Sequence, residues 1–468
     1  MLGKPTQDQN QLSLFGTNLI QIINLDHPLV LLSTMIPWQE MEKQFKDLYA
    51  KVGNPSHPIR KMAGLLLLQN IYKLSDERVV AEWEQNVYYQ FFTGEASLQW
   101  GQPCAASDLV HFRKRISKQG VEYLFKLCVS MHGKKIKKER EVMVDTTVPE
   151  KNITFPTDAK LYNKIIDTVN KIAKKVGIKL RQSYVRVSKK LMYAQRYLST
   201  AKHNKKARKA LNKLRTIASR QIRELTRCVA QLGKEETYSE LLKQMEWVLK
   251  QKRESKNKIY SLHETEVSCI AKGKTGKKYE FGSKVSIASL GESGVIVGIE
   301  SYKGNPHDST TLNTTMEMVQ QVTGKQYERV LVDRGYRGAK LPAGSKSELI
   351  IPGKKGMVKT SYTYLKYKKS CKKRAGIEGR ISHLKTSHKL GRNYLKGALG
   401  DIMNGLLSGI GYNLHLLLIE IGIMLKEGII FLFIIVKGVI EERLLGSQGA
   451  KVIYLPSYQP TFKSYLNC

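Results

Sequence analysis

The sequence predicts an α/β core that is preceded by an all-α region and interrupted by a long helical insertion. Three observations predict it. Two short apolar runs each end in an acid, VMVD at 142–145 and RVLVD at 329–333, and read as strands with a carboxylate at the C-terminal edge. The stretches before and between them carry apolar residues at helical spacing. The charge balance, 78 Lys+Arg against 40 Asp+Glu for a net +38, calls for a polyanionic partner. Nucleic acid is the first candidate and an anionic membrane the second. At 468 residues with 41% hydrophobic content, the chain is long enough for two or more domains with real cores and is not of disordered composition.

Residues 1 to about 135 read as helical. Apolar positions recur at helical spacing in 62–72 and 79–92, with Ser75-Asp76 as a start signal between them. Ser107 or Asp108 is expected to cap a further helix over 109–116, with Arg113, Lys114 and Arg115 exposed on it. A basic helix after other short helices suits a DNA groove; a solvated basic face on a structural helix explains the pattern equally well.

After the first strand comes a helical block over about 158–262. Tyr184, Val187, Leu191, Ala194 and Leu198 follow 3-4 spacing, and so do Leu211, Leu214, Ala218, Gln221, Leu225, Cys228 and Leu232. The basic stretch KHNKKARK (202–209), with Lys205, Lys206 and Arg208, lies between the two registers. The expected form is an antiparallel helical hairpin with a basic tip. Residues 160–230 hold 21 Lys+Arg against 2 acids, which suits phosphate contacts better than a merely solvated surface.

Strand patterns resume at 279–288, which alternates around Val285 and Ile287, and at 294–299, a buried-type run; a helix is expected over 312–322, and further strands at 329–333 and 349–351. A basic helix over about 368–385 and another from about 395 close the core. The stretch 402–419 lacks charged residues but includes Asn404, Asn413 and His415, and reads as a buried helix, not a membrane span. The N-terminus is polar, without the apolar core of a signal peptide. The six cysteines are scattered, which suggests neither a zinc site nor a disulfide framework and fits a reducing cytoplasmic compartment.

A third acid, Glu378, lies in CKKRAGIEGRISHLK, with Arg374 four residues before it and Lys385 seven after it on the same helical face. One acid flanked by two cations suits a metal-bound carboxylate beside a phosphate backbone. Singly, each acid reads as a turn residue, a cap or an ion-pair partner; together with the element order and the charge they support one another.

At these residues the chain resembles the DDE transposases of bacterial insertion sequences, in the insertion-sequence-5-like or 1182-like group. The pieces that carry the resemblance are MVDTTV, KYEFGSKVSIA, GNPHDSTTL, VDRGYRG, the R-x3-E-x6-K spacing and GRNYLKGALGDIMNGLL, within a likeness over about 20–420. One departure is Cys371, where the family signature has a tyrosine. The resemblance implies an RNase H-like mixed sheet with helices on both faces, and the triad Asp145, Asp333 and Glu378 as catalytic metal ligands. Arg374 and Lys385 take the family's basic positions.

The domains implied are a DNA-binding region at 1–135, a catalytic domain at 136–422 and an unassigned tail at 423–468. The chemistry implied is cleavage of the element's ends and transfer of the freed 3′-hydroxyl to target DNA, using two Mg2+ (or Mn2+) ions about 4 Å apart. Partners implied are the terminal inverted repeats and target DNA, with a homodimer or higher oligomer on the DNA and no membrane. Tyr336 and Tyr279 read as packing or DNA contacts and not as nucleophiles. Neither His383 nor His388 is expected as a ligand or base. Arg334 and Arg337 are expected to be structural or DNA-contacting, Gly335 to supply a tight turn, and Asp308 to be a turn residue or to support the site. The competing readings are another RNase H-like nuclease, a decayed transposase that only binds DNA, and a basic membrane-surface protein.

Overall fold

The computed structural model describes residues 18–50, 52–196, 201–252, 254–271, 278–353 and 362–444. It opens with eight helices: α1 (Leu19–Ile22), α2 (Pro28–Met35), α3 (Trp38–Lys46), α4 (Ile59–Ile71), α5 (Asp76–Gln85), α6 (Val87–Phe92), α7 (Ala106–Ser130) and α8 (Gly133–Lys138). Local chemistry sets their starts. Pro28 opens α2, where its missing N–H leaves no bond unmade. The Arg78 N–H donates to Ser75 Oγ at the head of α5, as the start signal predicts. The head of α7 differs from expectation: the helix starts after Ala105, and the Asp108 side chain accepts from the Ala105 N–H. α7 then kinks at Ser117, whose φ of 55° is non-helical.

The insertion comprises α9 (Asp158–Val176), α10 (Val185–Ala194), α11 (Asn204–Gln231) and α12 (Glu235–Lys250). It is therefore a four-helix unit, not the two-helix hairpin expected. Its core joins Ile165, Ile166 and Val169 of α9 to Leu214, Ala218 and Leu225 of α11 and Met245 of α12. The register at 211–232 mostly holds, although Leu232 is exposed. The register at 184–198 holds in part: Tyr184 and Leu191 pack against the same core and Ala194 is half-buried, but Val187 is exposed; Leu198 lies outside the described residues.

Among the described residues, nine strands follow the helices or lie among them: β1 (Glu141–Thr147), β2 (Glu150–Lys151), β3 (Ser268–Ala271), β4 (Tyr279–Gly282), β5 (Lys284–Leu290), β6 (Ile296–Tyr302), β7 (Arg329–Leu331), β8 (Glu348–Ile350) and β9 (Arg392–Asn393). Five form a mixed sheet in the order β6-β5-β1-β7-β8, in which β5 and β6 run antiparallel and β7 and β8 run parallel to β1. The other four form a smaller sheet, β3-β4-β2-β9. The single strand expected at 279–288 is thus two, divided at Ser283 between the sheets. β5 does not alternate; it is buried along its whole length because both faces of the large sheet are covered.

Four helices complete the core: α13 (Asp308–Thr323), α14 (Tyr362–Arg374), α15 (Gly376–Ser387) and α16 (Gly397–Leu444). α13 lies on one face, where Gly298 admits Val319; a Cβ there would stand 2.8 Å from Val319 Cγ2. On the other face, Ile377 of α15 packs with Met143, Leu331 and Ile350, and Gly405 and Gly409 of α16 approach Ile299. The helix expected over 368–385 is two, parted at Ala375. Residues 397–428 of α16 are long and apolar enough to cross a membrane by length and composition, but Leu406, Leu407, Ile410 and Leu414 are buried within the protein, as the polar residues of this stretch predict.

The chain forms two compact units, Met1–Leu417 and Leu418–Cys468. Within the first, the N-terminal helices are tied to the sheet region by polar contacts. His388 Nδ1 lies 3.2 Å from the Asn70 carbonyl, and the Lys389 ammonium donates to the Leu74 carbonyl at 2.8 Å.

Candidate active site

β1 and β7 pair in parallel, with Glu141 opposite Arg329, Val142 opposite Val330 and Met143 opposite Leu331. Continued by two residues, the same register sets Asp145 of β1 beside Asp333, which follows the end of β7 and heads the turn Arg334–Tyr336. Side chains two apart on a strand share a face and neighbouring strands lie about 4.8 Å apart, so both carboxylates leave the sheet beside each other. They do so on the face where Met143 and Leu331 meet α15. The Asp145 carboxyl is pushed up to about 6, chiefly by burial, with the charges of Asp333 and Asp308 acting in the same direction and the Thr146 N–H and Arg374 against it.

Asp333 Oδ1 accepts from the Gly335 N–H at 2.9 Å, which closes the turn Arg334–Tyr336. Space is tight at Gly335: a Cβ would lie 3.0 Å from Asp308 Oδ2 and 3.1 Å from Asp333 Oδ1. Asp308 is the first residue of α13. It accepts from Thr146 Oγ1 at 2.8 Å and pairs with Lys284 at 2.6 Å. Its place beside the strand ends agrees with a supporting group and goes beyond a turn residue.

Glu378 lies in the first turn of α15, with its side chain 66% exposed. Arg374 Nη2 donates to it at 3.1 Å, while Nη1 of the same guanidinium lies 3.7 Å from Asp145 Oδ2. One arginine thus spans the two acids. Lys385 is half-buried further along the helix. α15 is fixed in place by Arg380, which donates to Ser289 Oγ at 2.8 Å and to the Leu290 and Gly291 carbonyls at 2.6 and 2.9 Å. The sequence reading missed Arg380 and Lys284. A lysine inside an otherwise apolar strand run was the one signal for Lys284; Arg380 had none, because its partners are turn carbonyls.

The basic residues divide. Arg113 is buried, not exposed: it forms a two-pronged ion pair with Asp76, with Gln69 alongside. Its position on α7 faces α5, so burial against an acid overrides the expectation of a DNA contact. Lys114 is exposed, and Arg115 is exposed with its guanidinium 4.3 Å from the Tyr49 ring. Lys205, Lys206 and Arg208 are exposed at the start of α11. Tyr336 is completely buried, which suits packing. His388 is held at about 4 by burial, and is neutral at physiological pH.

Residues 17–115 match the family described as Transposase domain (DUF772), and residues 250–400 match the Transposase DDE domain. The chain belongs to the DDE transposases of insertion sequences. The second match includes Asp333 and Glu378; Asp145 lies outside both matched stretches, and the strand register is what brings it to Asp333. The transposase is similar to a Rhizobium meliloti protein described as uncharacterized protein ORF8 in nfe locus, at 41% identity over 200 residues, which covers 42% of the transposase and 96% of the relative. No solved structure matches.

Transposases of this family generally use divalent metals. The residues at the strand ends fit such an ion. Asp145 and Asp333 offer only oxygen donors, which hard divalent cations prefer, and their mutual repulsion is of the kind a cation relieves. Among the described residues no group of three or more His, Cys, Asp or Glu is gathered for a metal. The structure brings together the aspartate pair, while Glu378 is engaged by Arg374.

Proposed function

We propose that this transposase binds the ends of its insertion sequence, cleaves the DNA phosphodiester and joins the freed 3′-hydroxyl to target DNA. Asp145, Asp333 and Glu378 are the residues that would hold Mg2+ or Mn2+, which when bound supplies activation of the attacking hydroxyl and charge neutralisation at the phosphate. The observation that carries this reading is the parallel pairing of β1 with β7, which when continued by two residues sets Asp145 beside Asp333, whose charge acts on it. The large mixed sheet, covered on both faces, supports the RNase H-like reading of the catalytic domain at 136–422. The R-x3-E-x6-K spacing supports the insertion-sequence-5-like or 1182-like group.

Arg374 holds Asp145 and Glu378 within the span of one guanidinium. Moving that side chain onto the DNA phosphate would free both carboxylates, so the same arginine serves substrate and site in turn. Lys385 is assigned to the DNA strand. Lys114 and Arg115 of the N-terminal region at 1–135, and Lys205, Lys206 and Arg208 of the insertion, are assigned to the phosphate backbone. A dimer or higher oligomer bridging two ends in the bacterial cytoplasm completes the proposal.

The test is Asp333→Asn. Strand cutting of an end-bearing duplex with Mg2+ should fall to background while DNA retention stays at the wild-type level. Unchanged cutting would refute the assignment. A joined product in a strand-transfer assay separates a transposase from a nuclease that only cuts.

A further inference from the structure

The long helix of the insertion, α11, has one face buried against its neighbours through Leu214, Ala218, Gln221 and Leu225. Its outer face carries Lys205, Lys209, Lys213, Arg220, Arg223 and Arg227, all exposed. At 3.6 residues per turn these six fall within an arc of about 80° and extend over about 33 Å of helix. Among the described residues none of the six is ion-paired to a carboxylate. No acid shares the arc, since Glu224 lies to its side and accepts from the Arg181 N–H. Between the cations the face shows Asn212 and Thr216, both exposed and polar.

We propose that this face of α11 is a docking surface for the sugar-phosphate backbone of duplex DNA along the full length of the helix. The proposal rests on the reading of the chain as a DNA-acting transposase, and extends the contact from the basic stretch at 202–209, where α11 begins, to Arg227. Its length matches about one turn of the double helix, roughly 34 Å. A membrane surface needs an apolar face beside the charge, and single-stranded DNA is gripped by aromatic platforms. The outer face of α11 presents neither. Cations with short polar side chains between them suit a regular backbone, held without reading base sequence.

The experiment uses the full-length protein and measures the dissociation constant for a duplex across a salt series. Each phosphate contact adds about 0.9 to the slope of log affinity against log salt. Replacing all six cations by Gln should therefore lower the slope by about 5, equally for end-bearing and unrelated duplexes. Lys205→Gln and Arg227→Gln, one at each end, should each lower it by about 0.9. A lowered slope for Lys205→Gln with an unchanged slope for Arg227→Gln would confine contact to the tip and overturn the proposal. An equal loss of affinity for duplex and single strand of the same length would overturn the duplex assignment. Thermal melting of each variant at the wild-type temperature shows that folding is not the cause. The functional reading fails separately: wild-type protein that binds duplex with the full slope but never cuts it would sink the transposition chemistry and leave the docking surface standing.

Discussion

At Asp145 burial and the charges of Asp333 and Asp308 raise the carboxyl against Arg374 and the Thr146 N–H, and its titration is therefore a probe of the site. Its folded value of about 6 lies above the ordinary 3.8, so the protonated acid is favoured in the fold. Its contribution to stability is complete below about pH 3.8 and is lost as pH rises through about 6. Metal-free Asp145→Asn should consequently melt above wild type at pH 7.5, by up to about 3 kcal/mol in stability. Adding Mg2+ or Mn2+ should raise the melting temperature of wild type and leave that of Asp145→Asn unmoved. A metal-induced rise of equal size in both proteins would remove Asp145 from the ligand set. Arg113 and Lys114, neighbours in sequence, should separate in the same kind of measurement. Arg113→Gln leaves Asp76 without its buried partner and should cost about 3 kcal/mol. Lys114→Gln should leave the melting temperature unchanged and weaken DNA binding. Reversal of the two effects in melting and binding assays would contradict both assignments.

Among the elements, α16 shows how a helix with an apolar composition is placed by its glycines. A Cβ on Gly411 would press on the backbone carbonyl of Asn70 in α4, and backbone cannot step aside as a side-chain end can. Gly422, on the same helix, has open space around it. Gly411→Ala should therefore destabilise the protein by about 1–3 kcal/mol through overpacking. Gly422→Ala should stabilise the helix by up to about 1 kcal/mol, because alanine loses less backbone entropy. Chemical denaturation of the two variants checks this, and a neutral Gly411→Ala would show that α4 and α16 are not in close contact. The same reasoning explains the position of α15: Arg380 binds two turn carbonyls, and this fixes the helix on which Glu378 is carried.

At the scale of the whole molecule, the N-terminal helices, the sheet and α16 share buried histidines. His132 Nε2 lies 3.2 Å from the Asn413 carbonyl, and His388 meets Asn70. Burial holds each of them at about 4, below the ordinary 6.5. The unfolded chain takes up these protons first as pH falls, so stability declines between about pH 6.5 and 4 and is constant above. Each histidine accounts for up to about 3 kcal/mol of that decline. Melting temperature measured from pH 7.5 to 4.5 should fall below pH 6.5, and His388→Gln should lessen the fall. A flat profile in wild type would mean that both rings reach solvent. The same scale holds the charge of +38, much of it on the insertion, whose four helices form a core of their own and present α11 outward.

The sequence by itself determined the helical N-terminal region, the apolar runs that lead into Asp145 and Asp333, the start of α5 at Ser75 and the excess of positive charge. Each is a local property: the period of apolar residues, a capping side chain or a composition. Only the tertiary structure decided which groups meet. Parallel register made neighbours of Asp145 and Asp333, whereas sequence separation says nothing about it. Burial took Arg113 out of the exposed cations and gave it to Asp76, although its neighbours Lys114 and Arg115 stayed outside. The packing partner of α11 turned the expected hairpin into four helices, because an apolar stripe does not name the surface that covers it. Covering both faces of the sheet erased the alternation in β5. Pattern fixes which side of an element is apolar; long-range packing fixes what lies against it, and the site is made of such long-range neighbours.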